Sequence, residues 1–304
     1  MSNRPIWGID LGGTKIEGVI LDPKENYKVL ARTRIPTEAS KGYDQVVKNI
    51  IKLVRILEKE TGLQAEKIGM GTPGALDPDF GGMKNCNSTV LNGKPLKKDL
   101  EESSGLTFVL ANDANCFAVA EATMGVVPRV APNAEAVFGV IMGTGVGGGV
   151  VAHGKVINGR HNIGGEWGHN FLDESGGECY CGRVGCVETI LSGPASERYY
   201  KRLTGVDMKL KDIYQRHLDK SDAHATDTIH RLIYFFGKAL GPVINILDPE
   251  AIVIGGGVGN IDLLYTEGVE ELKKYVFNPE MKTLILKPEL GDSAGVFGAA
   301  MLVR

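Results

Sequence analysis

No stretch of this 304-residue chain reaches the ~18 consecutive apolar residues that a membrane span needs. Nor does it open on a secretory core: Met1 to Arg4 runs straight into the strand-like Ile6-Trp7-Gly8-Ile9. A cytoplasmic protein with no membrane partner is expected. It also lacks an excess of one charge. The 34 Lys and Arg nearly balance the 37 Asp and Glu, for a net −3, with no basic stripe to follow a phosphate backbone, so nucleic acid is not the expected partner. Cysteines are few and odd in number, at 86, 116, 179, 181 and 186, which argues against a disulfide framework. Three of them fall within eight positions, which points to a metal instead.

Glycine, by contrast, is plentiful at 41 residues, and clusters at 12–13, 71–74, 81–82, 143–149, 164–168 and 255–259. Such clustering suggests tight turns around a ligand. The length suits two lobes rather than one core. Residues 5–10, 15–21 and 28–35 read as a β-meander, and 43–60 as an amphipathic helix stopped by Gly62. Strands are predicted at 68–71 and 106–111, then a helix at 114–124. After a linker-like 125–135 the pattern restarts, with strands at 136–142 and 149–157. Helices at 194–203 and 225–247, a strand at 251–254, a helix at 261–275, a strand at 283–287 and a helix at 294–303 follow. The strand–glycine turn–strand unit occurs twice, as if one lobe design were used twice with a cleft between. The expected division is a small lobe of residues 1–124, to which 288–304 return, and a large lobe of 125–287.

Asp10-Leu11-Gly12-Gly13-Thr14-Lys15 ends the first strand in a glycine turn. Gly12 and Gly13 let backbone N–H groups approach a phosphate of ATP, Thr14 offers a hydroxyl and Lys15 a charge. Asp10 suits Mg²⁺, a hard cation that prefers oxygen ligands. No Walker pattern or G-x-G-x-x-G marks this turn, and an ordinary hairpin is the alternative. Gly143-Thr144-Gly145 opens a second glycine run, 143–149, with the same use and a flexible hairpin as its alternative. Gly255-Gly256-Gly257 ends a third strand and suits a flat adenine or ribose, or else a simple strand-to-helix turn.

Asp113 stands where a buried strand meets a helix, and its carboxylate is expected to be buried. It reads either as the helix N-cap or as the base that takes a proton from a sugar hydroxyl attacking the γ-phosphoryl. His169, Cys179, Cys181 and Cys186 offer one imidazole and three thiolates, enough to close a structural zinc site, with free thiols as the alternative. The second ring nitrogen of His169 is left to face a substrate hydroxyl. Glu166 and Glu188 flank this cluster and are suited to sugar hydroxyls.

Together these stretches resemble the ROK family (repressors, open reading frames and kinases) over nearly the whole chain. The carrying motifs are E-x-G-H at 166–169, C-x-C-G-x-x-G-C-x-E at 179–188 and the terminal Ala294-Gly295-Val296-Phe297-Gly298-Ala299-Ala300. Within the family the chain is most similar to bacterial fructokinases of the manno(fructo)kinase type, through Lys84-Asn85-Cys86-Asn87-Ser88-Thr89, Leu91-Asn92-Gly93, 165–170, 243–249 and 291–295. One departure is Val90, where related kinases tend to carry Trp. The resemblance implies an actin-like, ribonuclease-H-like α/β fold, a zinc site and a homodimer. It implies Asp113 as base and hexose contacts from Gly74, Asn87, Asn112, Glu166, His169 and Glu188. The reaction so expected is ATP-dependent phosphorylation of fructose or mannose. N-acetylglucosamine kinase or glucokinase is the alternative, since N-acetylglucosamine kinases share most of these motifs. Two readings of other classes stand beside it. One is a sugar-sensing transcription regulator, disfavoured because the first strand starts near residue 5 and leaves no room for a DNA-binding segment. The other is a sugar-binding protein without catalysis.

Overall fold

The computed structural model describes residues 4–304. In chain order come β1 (Ile6–Leu11), β2 (Lys15–Asp22), β3 (Lys28–Pro36), α1 (Tyr43–Thr61), β4 (Lys67–Thr72), β5 (Ala75–Leu76), β6 (Met83–Lys84), α2 (Leu96–Ser104), β7 (Thr107–Asn112) and α3 (Asp113–Thr123). Next are α4 (Val127–Val130), β8 (Ala136–Met142), β9 (Val146–Ala152), β10 (Lys155–Val156), α5 (Glu188–Leu191), α6 (Gly193–Thr204), α7 (Leu210–Leu218) and α8 (Ala223–Leu247). The chain ends with β11 (Ala251–Gly255), α9 (Glu267–Lys273), β12 (Leu284–Leu286) and α10 (Ala294–Met301). No helix among the described residues is long and apolar enough to cross a membrane.

The chain divides into two compact units. The first holds residues up to Pro128, Gly149–Gly164 and Glu289–Arg304; the second holds Arg129–Gly148 and Gly165–Pro288. Segment 149–164 thus groups with the first unit. One five-stranded sheet has the order β3-β2-β1-β4-β7, the other β10-β9-β8-β11-β12. In each, an antiparallel pairing at one edge (β1–β2–β3, β9–β10) gives way to parallel strands (β1–β4–β7, β8–β11–β12). The strand order is therefore the same in both sheets.

Period-2 alternation sets the two faces of the first sheet. Trp7, Ile9 and Leu11 of β1, with Ile68 and Met70 of β4, join one core with Val46, Ile50, Leu53, Val54 and Leu57 of α1. Each of these fully buried side chains stabilises by about 1.5–3 kcal/mol. Gly62, at φ +71°, ends α1 in the left-handed conformation. The alternate residues Gly8, Asp10, Gly69 and Gly71 face the other way, toward α10 and α3. A Cβ on Gly69 would lie 1.8 Å from the Ala299 carbonyl, and one on Gly298 1.8 Å from that of Cys116, so α10 rests almost backbone to backbone on β4 and α3. Gly69→Ala must push α10 off the sheet. It is expected to cost about 3 kcal/mol, read as a lowered denaturation midpoint.

Glu121 of α3 is fully buried, and its carboxylate accepts N–H bonds from Val126, Glu289 and Leu290 at 2.9–3.2 Å. This ties the start of the terminal segment to α3. The structure departs from sequence expectation at several places, among them the short β5, β6 and α5 and the division of the expected strand 149–157 into β9 and β10. Helices α2 and α7 were not foreseen. The linker-like 125–135 contains α4, with Val127 buried. The helix expected over 261–275 is broken into a 3₁₀ turn, Asp262–Tyr265, and α9. There the Tyr265 hydroxyl donates toward the carbonyls of Gly259 (2.8 Å) and Ile254 (3.3 Å) and holds the turn.

Candidate active site

Each of the two units carries part of the expected site residues. In the first, Asp10 ends β1 on the face shared with α3 and α10. The position a Cβ would take on Gly71 is 3.3 Å from Asp10 Oδ1, and on Gly295 2.9 Å from Oδ2, so small residues leave room for the carboxylate. Asp10 is the cross-strand neighbour of Glu17, itself buried and paired with Arg32 and, at 2.9 Å, with Arg34. Burial pushes Asp10 up to about 6, helped by repulsion from Asp113 and Glu17 and opposed by Arg34. The turn beyond it is a tight hairpin. Gly12 N–H donates to the Lys15 carbonyl at 3.0 Å, and Thr37 Oγ1 donates to the Gly12 carbonyl at 2.7 Å. Gly13, Thr14 and Lys15 are exposed.

The N-cap of α3 is Asn112, not Asp113: Asn112 Oδ1 accepts from the Asn115 N–H at 2.8 Å. Asp113 is the first helical residue, its Oδ1 accepting from the Ala114 N–H at 2.8 Å. The capping role that competed with the base role is thus filled by its neighbour. A buried carboxylate was expected here, and this is corrected: Asp113 is exposed by surface area. Protein crowding at longer range still raises its pKa by desolvation, while N–H bonds from Ala114 and its own amide oppose the rise.

Asn87 is exposed on a loop that Asn92 clamps: Asn92 Oδ1 accepts from the Cys86 N–H at 2.8 Å and its Nδ2 donates to the Cys86 carbonyl at 3.2 Å. Gly74 has no room for a side chain, since a Cβ would lie 2.5 Å from the Lys84 carbonyl and 2.6 Å from Cys86 Sγ.

In the second unit the second glycine run is shorter as a turn than expected. Gly143-Thr144-Gly145 closes it, Gly143 N–H donating to the Gly145 carbonyl at 2.9 Å, and β9 already begins at Val146. Gly148 serves close packing instead, a Cβ there falling 2.5 Å from Trp167 Cδ1. Glu188, the first residue of α5, accepts from the Val146 N–H through Oε2 at 2.9 Å, and a Cβ on Gly145 would lie 2.5 Å from that oxygen. The acid expected to hold sugar is therefore bonded to the residue that follows the glycine turn. Of the third turn, Gly256 carries φ +83° and a Cβ would sit 2.3 Å from the Met142 carbonyl, so only glycine fits. Gly257 has open space around it, and Gly255 is buried at the strand end.

The donor atoms of His169, Cys179, Cys181 and Cys186 lie within 4.8 Å of one another. Cys179 Sγ is 3.6 Å from His169 Nδ1, and the Sγ atoms of Cys181 and Cys186 are 3.6 Å apart. Thiolates around a tetrahedral Zn²⁺ stand about 3.8 Å from one another, so the donor set fits that ion. The other nitrogen, Nε2, expected to face a substrate hydroxyl, instead lies 3.0 Å from the Tyr180 hydroxyl. Sequence reasoning passed over Tyr180, which is 76% exposed and has Glu188 and Glu166 as charged neighbours. Its one signal was its place between two cysteines. Glu166 precedes the 3₁₀ turn Trp167–His169. Cys181→Ser is expected to lose bound zinc and at least about 10-fold in sugar affinity together, because one ligand loop carries His169 and stands next to Glu188. Metal analysis showing full occupancy with normal sugar binding would break that coupling.

A repeated sheet of this order, each copy led by a glycine turn after its first strand, defines the two-lobed actin-like ATPase fold. Residues 6–304 match the ROK family, and the chain belongs to it. It is 35% identical to an N-acetyl-D-glucosamine kinase of Vibrio parahaemolyticus over 306 residues, covering 97% of this chain and 98% of that one. Among solved structures it is similar to the ROK hexokinase of Thermus thermophilus, with a TM-score of 0.87, 30% identity and coverage of 98% and 97%. It is also similar to a ROK glucokinase of Streptomyces griseus in complex with glucose and AMPPNP, with a TM-score of 0.74, 27% identity and coverage of 98% and 99%.

Proposed function

We propose that this protein transfers the γ-phosphoryl of ATP to the primary hydroxyl of a hexose, with N-acetylglucosamine as first candidate. The observation that carries the reading is Asp113: an acid released from capping by Asn112, beside Asp10 and one residue beyond a strand end. The fructose preference expected from the sequence yields to the alternative weighed there, supported by the 35% identity to the N-acetyl-D-glucosamine kinase of Vibrio parahaemolyticus.

On this reading the sugar-contacting residues are Asn87, Asn112 and Asp113 in the first unit and Glu166, His169 and Glu188 in the second. Asp113 accepts the hydroxyl proton as the oxygen attacks phosphorus. The turns at 12–15 and 143–145 present N–H groups and hydroxyls to the phosphates, and Gly255–Gly257 leaves space for the adenosine. Asp10 would hold Mg²⁺, whose charge neutralises the phosphate oxygens. Zinc on His169 and the three cysteines stiffens a loop that has little regular structure. The Glu188 bond to Val146 links sugar holding to the phosphate turn, so a bound sugar helps order the turn.

The test is ADP release with N-acetylglucosamine, glucose, mannose and fructose, compared by kcat/KM. N-acetylglucosamine is expected to exceed fructose at least about 10-fold, since a site built for an amide rejects a substrate lacking it. Fructose as the best substrate would overturn the sugar assignment, and no ADP release with any sugar would overturn the kinase.

A further inference from the structure

Within the second unit, α6 and α8 enclose a cavity of about 400 Å³. Its charged lining is all cationic: Arg198, Lys201 and Arg202 of α6 and Arg231 of α8. Among the described residues only Lys201 of these four is in an ion pair, with Asp207 at 2.7 Å. Arg231 donates from Nη2 to Ser175 Oγ at 2.7 Å and lies over the Tyr199 and Phe235 rings at 4.7 and 4.5 Å. The nearby Asp173 is taken up by Lys238, at 3.4 Å, and by the Ser175 N–H, at 3.0 Å. Arg198 and Arg202 stand four apart on one helix, where like charges face each other and repel. Burial lowers the pKa of Arg231, and Arg202 lowers it further. Three guanidinium groups are thus gathered around one hollow, and Asp173, the carboxylate that acts on Arg231, is already held by Lys238.

We propose that this cavity binds a phosphate-bearing small molecule, the phosphate on Arg198, Arg202 and Arg231 with Ser175 as an added donor. Guanidinium groups match phosphate oxygens in bidentate fashion, and the volume admits a sugar as well as the anion. Ser175 belongs to the stretch joining His169 to Cys179, and Thr189, next to Glu188, lines the same cavity. An occupant therefore touches the segments that carry the sugar-holding residues, and it alters sugar KM.

The test is calorimetric titration of the full-length protein with inorganic phosphate and with glucose 6-phosphate, at constant ionic strength and saturating ADP. One equivalent is expected to bind. Binding is expected to weaken at least about 10-fold in the double variant Arg198→Ala, Arg202→Ala, the loss of about one charge-assisted contact or more. Both side chains are exposed, so the fold is expected to persist with an unchanged denaturation midpoint. Asp113→Asn should bind as the parent does. Tighter binding of glucose 6-phosphate than of phosphate assigns a sugar phosphate, and equal binding assigns the free anion. Equal affinity in the double variant and the parent, or no binding of either probe, overturns the proposal. Only the KM effect rests on the kinase reading; the binding measurement stands apart from it.

Discussion

Asp113→Asn is expected to lower kcat about 1,000-fold while leaving the sugar dissociation constant within about 3-fold of the parent. The change is isosteric and keeps the Ala114 N–H bond, because an amide oxygen accepts as a carboxylate does. Asn112 continues to cap α3, so helix stability should hardly change. What is lost is the proton acceptor. The parent enzyme should also show an acid limb in kcat/KM above the usual carboxylate range, since the pKa of Asp113 is raised. Asp113 in turn raises the pKa of Asp10 by repulsion. A variant retaining more than a tenth of parental kcat would remove Asp113 from the base role.

Asp10→Asn is expected to move activity and stability in opposite directions. Its pKa in the folded state is raised from 3.8 to about 6. Between these values the folded protein binds more protons than the unfolded chain, so stability falls as pH rises through the window. The loss amounts to about 3 kcal/mol, complete above about pH 7. Metal-free parent protein should therefore show a denaturation midpoint that declines from pH 4 to pH 7. The variant should be flatter across that range and more stable at pH 8, with kcat reduced at least about 100-fold because a cation loses its carboxylate. Equal pH dependence in both proteins would show that Asp10 carries no such penalty, and full activity would remove it from phosphate chemistry. Strain of this kind is common where a site needs charge that the fold alone would not keep.

Much of this was legible in one dimension. Alternating and helical periodicities placed β1, β2, β3, α1, α8 and β11 to within two residues, because each is set by neighbours one to four positions away. Helices α2 and α7, each nine residues long with only two buried side chains, were missed. The zinc-type ligand set was legible for the same reason: three of its four residues lie within eight positions. The capping of α3 was misjudged by one residue, as Asn and Asp stand side by side and both cap well. The glycines of 143–149 were read as one ligand turn, whereas Gly148 answers to Trp167, a neighbour that only packing supplies.

By itself the sequence determined the repeated strand–turn–strand design, the chemistry on offer at each turn and the family to which the chain belongs. Local backbone preferences and short spacings suffice for these. Tertiary structure alone decided that Asp10 lies across from Glu17, that Tyr180 meets His169 Nε2, that Glu121 holds residues 168 positions away and that Arg231 reaches Ser175 over 56. Such meetings follow from strand register and from which helix face is buried. Those are properties of the whole packed core, and no short window of residues encodes them.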